Sequence, residues 1–357
     1  MSDQLVLGTR KGLFDVRRGS KGWTLGATAF LGSPVSMTLV DRRDGAWYAA
    51  LDLGHFGVKL HRSRDGGGSW EEIATPSYEG VGGEDPPSLK LIWALETGGA
   101  DEPGVLWAGT IPGGLFRSPD HGESWTLTRG LWDDPLRAKW FGGGYDQPGV
   151  HSICVDPRDS RQIAVAVSCG GVWESADGGA SWRIGGQGMW AAYMPPEQKG
   201  EAAVQDPHRM LRSPSAPDTF WVQHHNGAFR STTGIDGWSE LAVPPSSFGF
   251  ALAVHPTKAG TAWFAPAVKD EFRYPVDGAV VVARTTDGGH SFEVLRRGLP
   301  QKDAYDLVYR HGLDVDGSGE RLAMGSTTGN LWVSENGGDD WASAFANLPP
   351  VLSVRFV

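Results

Sequence analysis

The chain has 357 residues with a formal charge of −10, and its 51 glycines sit among 16 tryptophans in a composition that is 40% hydrophobic. That apolar and aromatic content excludes a disordered chain, and the interspersed negative charge argues against nucleic acid or an anionic membrane as partner. No apolar run is long enough for a signal peptide or a bilayer span, so a cytoplasmic protein is expected, with Cys154 and Cys169 as reduced thiols.

Many glycines with many aromatics suggest short strands joined by tight turns. In chain order, Leu5–Thr9 and Gly12–Phe14 read as two strands around a bend, ending in a degenerate turn before Trp23. Next come three close copies of one motif: Ser63-Arg-Asp-Gly-Gly-Gly-Ser-Trp70, Ser118-Pro-Asp-His-Gly-Glu-Ser-Trp125 and Ser175-Ala-Asp-Gly-Gly-Ala-Ser-Trp182. A degenerate copy runs from Ser231 to Trp238, and two more good ones are Thr285-Thr-Asp-Gly-Gly-His-Ser-Phe292 and Ser334-Glu-Asn-Gly-Gly-Asp-Asp-Trp341. The Asp accepts backbone N–H bonds and closes a hairpin from inside, and the glycines permit positive φ. The terminal ring is expected to bury itself between sheets.

Seven terminal aromatics lie 47 to 57 residues apart, the size of a four-stranded blade. One further strand precedes each hairpin pair; for the last repeat it is placed at Tyr305–Leu313. The first repeat has only three strands, and Val351–Phe356 is a strand with no partner of its own. Set innermost in the first blade, it closes a ring and removes two free edges. The fold expected is all-β, a single seven-bladed β-propeller spanning residues 1–357.

These boxes resemble the Asp-box, or bacterial neuraminidase, repeat, and the resemblance covers nearly the whole chain. Proteins sharing it include sialidases, xyloglucan-cleaving glycosidases, sortilin-type receptors and photosystem II assembly factors. In length and texture the chain is similar to bacterial proteins labelled BNR-repeat glycosyl hydrolases. The resemblance implies the propeller and is nearly silent on activity. The sialidases' early Arg-Ile-Pro segment does not occur here, which argues against a sialidase.

Long insertions mark the working face: Pro76 to Pro87, Gly130 to Pro148, Gly185 to Pro207 and the turn Val268 to Asp277, all opposite the boxes. Polar residues assigned there make His151, His208, Glu271, Tyr305 and Asp306 the catalytic candidates, for imidazole or carboxylate acid–base help. Arg10, His55, Lys90, Arg209, His225, Lys269 and Arg273 are the polar substrate-binding candidates, with arginines to grip an anion and Trp140, Tyr145 and Trp190 to stack on a sugar. Acids nearby (Glu84, Asp85, Asp133, Asp134, Asp146) are candidates for a glycosidase pair.

The function expected first is a hydrolase or lyase acting on a small polar or glycosidic substrate, with no cofactor. One alternative is a non-catalytic propeller binding a protein or glycan through the same loops. The other is an enzyme whose His55, His151, His208 and His225 hold a divalent transition metal.

Overall fold

The computed structural model describes residues 1–81 and 85–357. They form seven four-stranded antiparallel sheets arranged as a closed seven-bladed β-propeller. Blade 1 is Val351–Phe356, Gln4–Thr9, Gly12–Gly19 and Gly22–Ala29, so the C-terminal strand is innermost in the first blade, as the strand count requires. Blades 2 to 7 begin with the inner strands Val35–Val40, Leu91–Thr97, Val150–Asp156, Pro207–Arg212, Gly249–Val254 and Leu313–Val315. The last is shorter and later than the Tyr305–Leu313 expected, because residues 309–312 form a turn in which the Gly312 amide donates to the Tyr309 carbonyl at 2.8 Å.

The core is a ring of wedges. Each of seven apolar clusters draws on two adjacent blades: Met37, Tyr48 and Leu60 pack with Ile92 and Phe116, and Leu5 and Val16 pack with Ala323 and Val333. Trp107, Trp173, Trp221 and Trp263, on second and third strands, are the large rings buried deepest. The terminal aromatics of the boxes are a partial exception to expectation. Trp238 and Trp341 are buried, whereas Trp23, Trp70, Trp125, Trp182 and Phe292 are half-buried at the rim. Starting the outermost strand, such a ring covers its neighbour with one face only; Trp125 donates its Nε1 to the Ala74 carbonyl of the preceding blade at 3.0 Å.

The five good hairpins share one bond pattern. In Ser175–Trp182 the Ser175 hydroxyl donates to Asp177 Oδ1 at 2.8 Å, and the Gly179 amide donates to that hydroxyl at 2.8 Å. The Ser181 amide and hydroxyl donate to the two Asp177 oxygens at 2.9 and 2.6 Å. In the last box Asn336 replaces Asp: its Oδ1 accepts from the Asp340 amide and its Nδ2 donates to the Asp340 carboxylate, each at 2.9 Å.

Inner strands set the axial site, and their register carries a feature no local pattern shows. In blade 2, Val35 pairs with Leu51 and Met37 with Ala50, leaving Ser36 as an extra residue. Equivalent bulges leave out Trp93, His151, His208 and Leu352, and blade 6 places Phe250 and Ala251 opposite one residue. A bulge bends its strand and re-aims a side chain. Ser36, Trp93, His208, Phe250 and Leu352 all line one axial cavity.

Two outcomes are expected. Val351, Val354 and Phe356 are fully buried, a contribution of about 5–9 kcal/mol at roughly 1.5–3 kcal/mol per side chain, comparable with a whole domain's stability. Deleting residues 351–357 should therefore abolish the cooperative calorimetric transition, and a peptide of that sequence in excess should restore it. The second outcome concerns acid. Hydrogen bonds from the Ser69 amide and hydroxyl hold the Asp65 carboxyl at about 2, and those from the Ser181 hydroxyl and amide do the same for Asp177, against an ordinary 3.8. Their stabilisation is complete above pH 3.8 and is lost as pH falls toward 2. The melting temperature should fall across that window, and less steeply in the Asp65→Asn, Asp177→Asn double variant. Asp177→Ala, which removes the acceptors altogether, should lower the melting temperature at neutral pH by roughly 1–3 °C.

Candidate functional site

The axial cavity measures about 670 Å³, within the range of about 300–1,000 Å³ of small-molecule sites. Three of the four long insertions reach it: Phe141, Gly143, Gly144 and Tyr145 from the second, Tyr193 and Asp206 from the third, Asp270 and Arg273 from the fourth. Tyr78, in the first insertion, is buried between blades 2 and 3, sharing a 2.6 Å hydrogen bond with Thr110 and donating to the Pro112 carbonyl. Glu84 lies outside the described residues.

One wall is built around Asp206, at the end of the third insertion and directly before the inner strand of blade 5. Its Oδ1 accepts from the Ser168 hydroxyl and the Cys169 amide, each at 3.1 Å. Its Oδ2 lies 3.5 Å from His208 Nε2 and 3.3 Å from His225 Nδ1. The bulge at His208 turns the ring toward this carboxylate, stacks it on Phe250 at 4.3 Å, and sets Nδ1 2.7 Å from the Gly249 carbonyl. Burial alone raises a carboxyl, but contacts with the two histidines hold Asp206 well below the usual range. Burial lowers His208 below 6.5, whereas Asp206 outweighs burial at His225 and raises it.

The second feature is Arg310, 9% exposed and lining the cavity between aromatic faces. Its guanidinium lies 4.5 Å from the Trp93 ring centroid and 5.2 Å from that of Phe250. Among the described residues no carboxylate lies within ion-pair distance of it and its Nε has no acceptor. Burial lowers its pKa to about 10, so it stays charged at neutral pH.

Among the sequence-predicted residues, His208, His225, Arg10, Arg273 and Tyr145 come together in this cavity. His151 lies behind the wall with both nitrogens occupied, Nε2 by the Pro207 carbonyl at 2.7 Å and Nδ1 by the Ser152 hydroxyl at 3.0 Å. Arg209, one residue beyond His208, faces a depression toward the other end of the axis with Glu96, Asp314 and Arg355. Glu271 is exposed and pairs with Lys269 at 3.3 Å, and Lys269 also lies over Phe272. Tyr305 is exposed outside the cavity, and Asp306 closes a turn by accepting from Ser326 and Asn330 at 2.6 and 2.7 Å.

His55 packs at a tilt against Phe56, with ring centroids 3.9 Å apart, and Lys90 is exposed. Trp140 is buried edge-on to Trp173, and Trp190 donates to Glu240 at 3.0 Å. Asp133 pairs with Arg129 and Asp134 caps the Leu136 amide, so neither belongs to a carboxylate pair. Cys154 and Cys169 are free thiols, the latter at the cavity wall.

Sequence reasoning missed Asp206 and Arg310. The available signals were the Asp206-Pro-His208 spacing at an inner-strand start, and an arginine inside the apolar run Tyr305–Leu313, three residues before the strand that forms.

No family model matches the chain, and no curated protein matches it. Solved structures do. An ancestral GH74 enzyme superposes with a TM-score of 0.62 at 16% identity over 87% of this chain, and the GH74 enzyme of Niastella koreensis with 0.61 at 15% over 96%. The chain spans only 38% and 54% of those two proteins. YCF48 from Cyanidioschyzon merolae matches over 94% of this chain and 96% of its own, with a TM-score of 0.58 at 15% identity. At such identities the likeness is one of fold: this chain shares a seven-bladed β-propeller with GH74 enzymes and with YCF48.

Proposed function

We propose that the axial cavity is the active site of a hydrolase or lyase whose substrate is a small polar, ring-bearing molecule with an anionic group. Arg310 carries this reading. A buried guanidinium with no carboxylate in contact is costly, Asp206 acting on it only through space, and an anionic ligand supplies the missing partner with bidentate hydrogen bonds. Arg10 and Arg273 at the same cavity add positive charge, although Arg273 is already bonded to Asp270. Tyr145, 50% exposed at the cavity, offers its ring to a sugar or similar ring, while Trp93 and Phe250 hold Arg310 between them. The Asp206, His208 and His225 wall supplies the reactive groups, beside the anion subsite rather than within it. GH74 enzymes, with the same fold, agree with a catalytic use of such a propeller.

A second reading, binding of a protein segment, is favoured by exposed rings near the cavity face, with Phe56 72% and Tyr305 66% exposed. A YCF48 structure contains a bound D1 peptide, which suits that use of the fold.

Calorimetric titration with sugar acids, hydroxy- and oxo-carboxylates and inorganic phosphate separates the two. At least one small anion should bind, and Arg310→Gln should weaken it about 30-fold or more, with Arg129→Gln, remote on the surface, unchanged. Product appearing by NMR in the bound mixture identifies the catalytic use. Failure of every anion to bind, or equal binding by Arg310→Gln, removes the proposal and leaves the protein-binding reading.

A further inference from the structure

Asp206, His208 and His225 bring one carboxylate oxygen and two imidazole nitrogens within 4.8 Å of one another. Donors on one metal at bonds of about 2.0–2.2 Å lie roughly 3 Å apart in octahedral and roughly 3.4 Å apart in tetrahedral arrangement. The observed 3.3 and 3.5 Å are close to that spacing and long for hydrogen bonds. A hydrogen-bond argument points the same way. The Gly249 carbonyl only accepts, so His208 Nδ1 carries a proton. Nε2 therefore meets the carboxylate either through a second proton or, in the neutral ring, with a lone pair that a metal cation set between the two would accept.

The surroundings also match a metal centre. Metal-bound histidines donate their second nitrogen to a carbonyl or carboxylate, and ligating carboxylates accept further bonds. His208 has Gly249, and Asp206 has Ser168 and Cys169. His225 is half-buried beside the cavity, against the edge of Tyr193. His151 and His55 take no part, the first being fully hydrogen-bonded and the second lying outside the cavity.

We propose that Asp206 Oδ2, His208 Nε2 and His225 Nδ1 hold a divalent first-row transition metal, zinc or iron(II), with its remaining positions open to the cavity. There it polarises a substrate oxygen or activates water. The inference rests on the reading of the cavity as an active site, and Arg310 stands apart from the three ligands.

The test uses full-length protein without an affinity tag, stripped with chelator and titrated with Co²⁺ under visible absorption. One equivalent should bind with d–d bands, and Zn²⁺ should displace it; elemental analysis of the protein before stripping identifies the resident metal. His225→Ala, at the cavity surface, should weaken uptake about 100-fold or more, and Ser168→Ala about 10-fold, with circular dichroism confirming that both fold. Failure of stripped wild-type protein to take up Co²⁺, or equal uptake by His225→Ala, overturns the proposal. Metal uptake without anion binding leaves the centre standing and removes the reading of Arg310. Anion binding without metal uptake does the reverse.

Discussion

The extra residue at the start of the inner strands is the constraint on which the site depends. Strand side chains alternate between faces, so one inserted residue reverses the facing of every later residue on its strand. Repeated around the ring, this sends Ser36, Trp93, His208, Phe250 and Leu352 toward the axis at one level, while the strands beyond them keep the pairing that packs each blade on the next. The cavity and the inter-blade core are thus two results of a single register change. Without it, His208 would not face Asp206.

The two faces of the ring are organised on opposite terms. On the hairpin face the box aspartates Asp65, Asp120, Asp177 and Asp287 are satisfied within their own turns: Asp177 is bonded to Ser175 and Ser181, close neighbours in the same box. On the other face Arg310 is buried without an acceptor and Asp206 is crowded by two histidines. A fold whose local choices agree everywhere has no reason to leave such groups unresolved, and exceptions concentrate where a protein does its work. Arg209, toward the other end of the axis, likewise has an Nε without an acceptor, so what distinguishes this cavity is that it sets Arg310 beside the Asp206, His208 and His225 wall.

What was legible in the sequence was local in origin. A Ser-x-Asp-x-Gly box writes its bonds into eight consecutive residues, so five hairpins and their spacing were readable, and the ring came from counting strands. Even the partnerless Val351–Phe356 could be assigned by elimination. The site residues depend on register, which is tertiary. The apolar run reads as strand from Tyr305, which puts Tyr305 and Asp306 at the axis of blade 7, whereas the turn at 309–312 delays the strand and gives Arg310 the axial place. Arg209 was grouped with Arg10 and Arg273, yet a bulge one residue earlier assigns the cavity to His208. Asp206 carried no repeat signal, since it ends an insertion found in one blade only.

Ring closure also sets an order of assembly. Blades 2 to 7 consist of strands adjacent in sequence, which pair early as a chain emerges, whereas Leu5 pairs with Phe356. Until that strand is synthesised, Gln4–Thr9 keeps an open edge. Leu352 and the Arg10 amide bond to Pro350 also belong to that late event. The side of the pocket bounded by Leu352 therefore forms only when the ring closes, whereas the Asp206, His208 and His225 wall is held by contacts within blades 4 and 5.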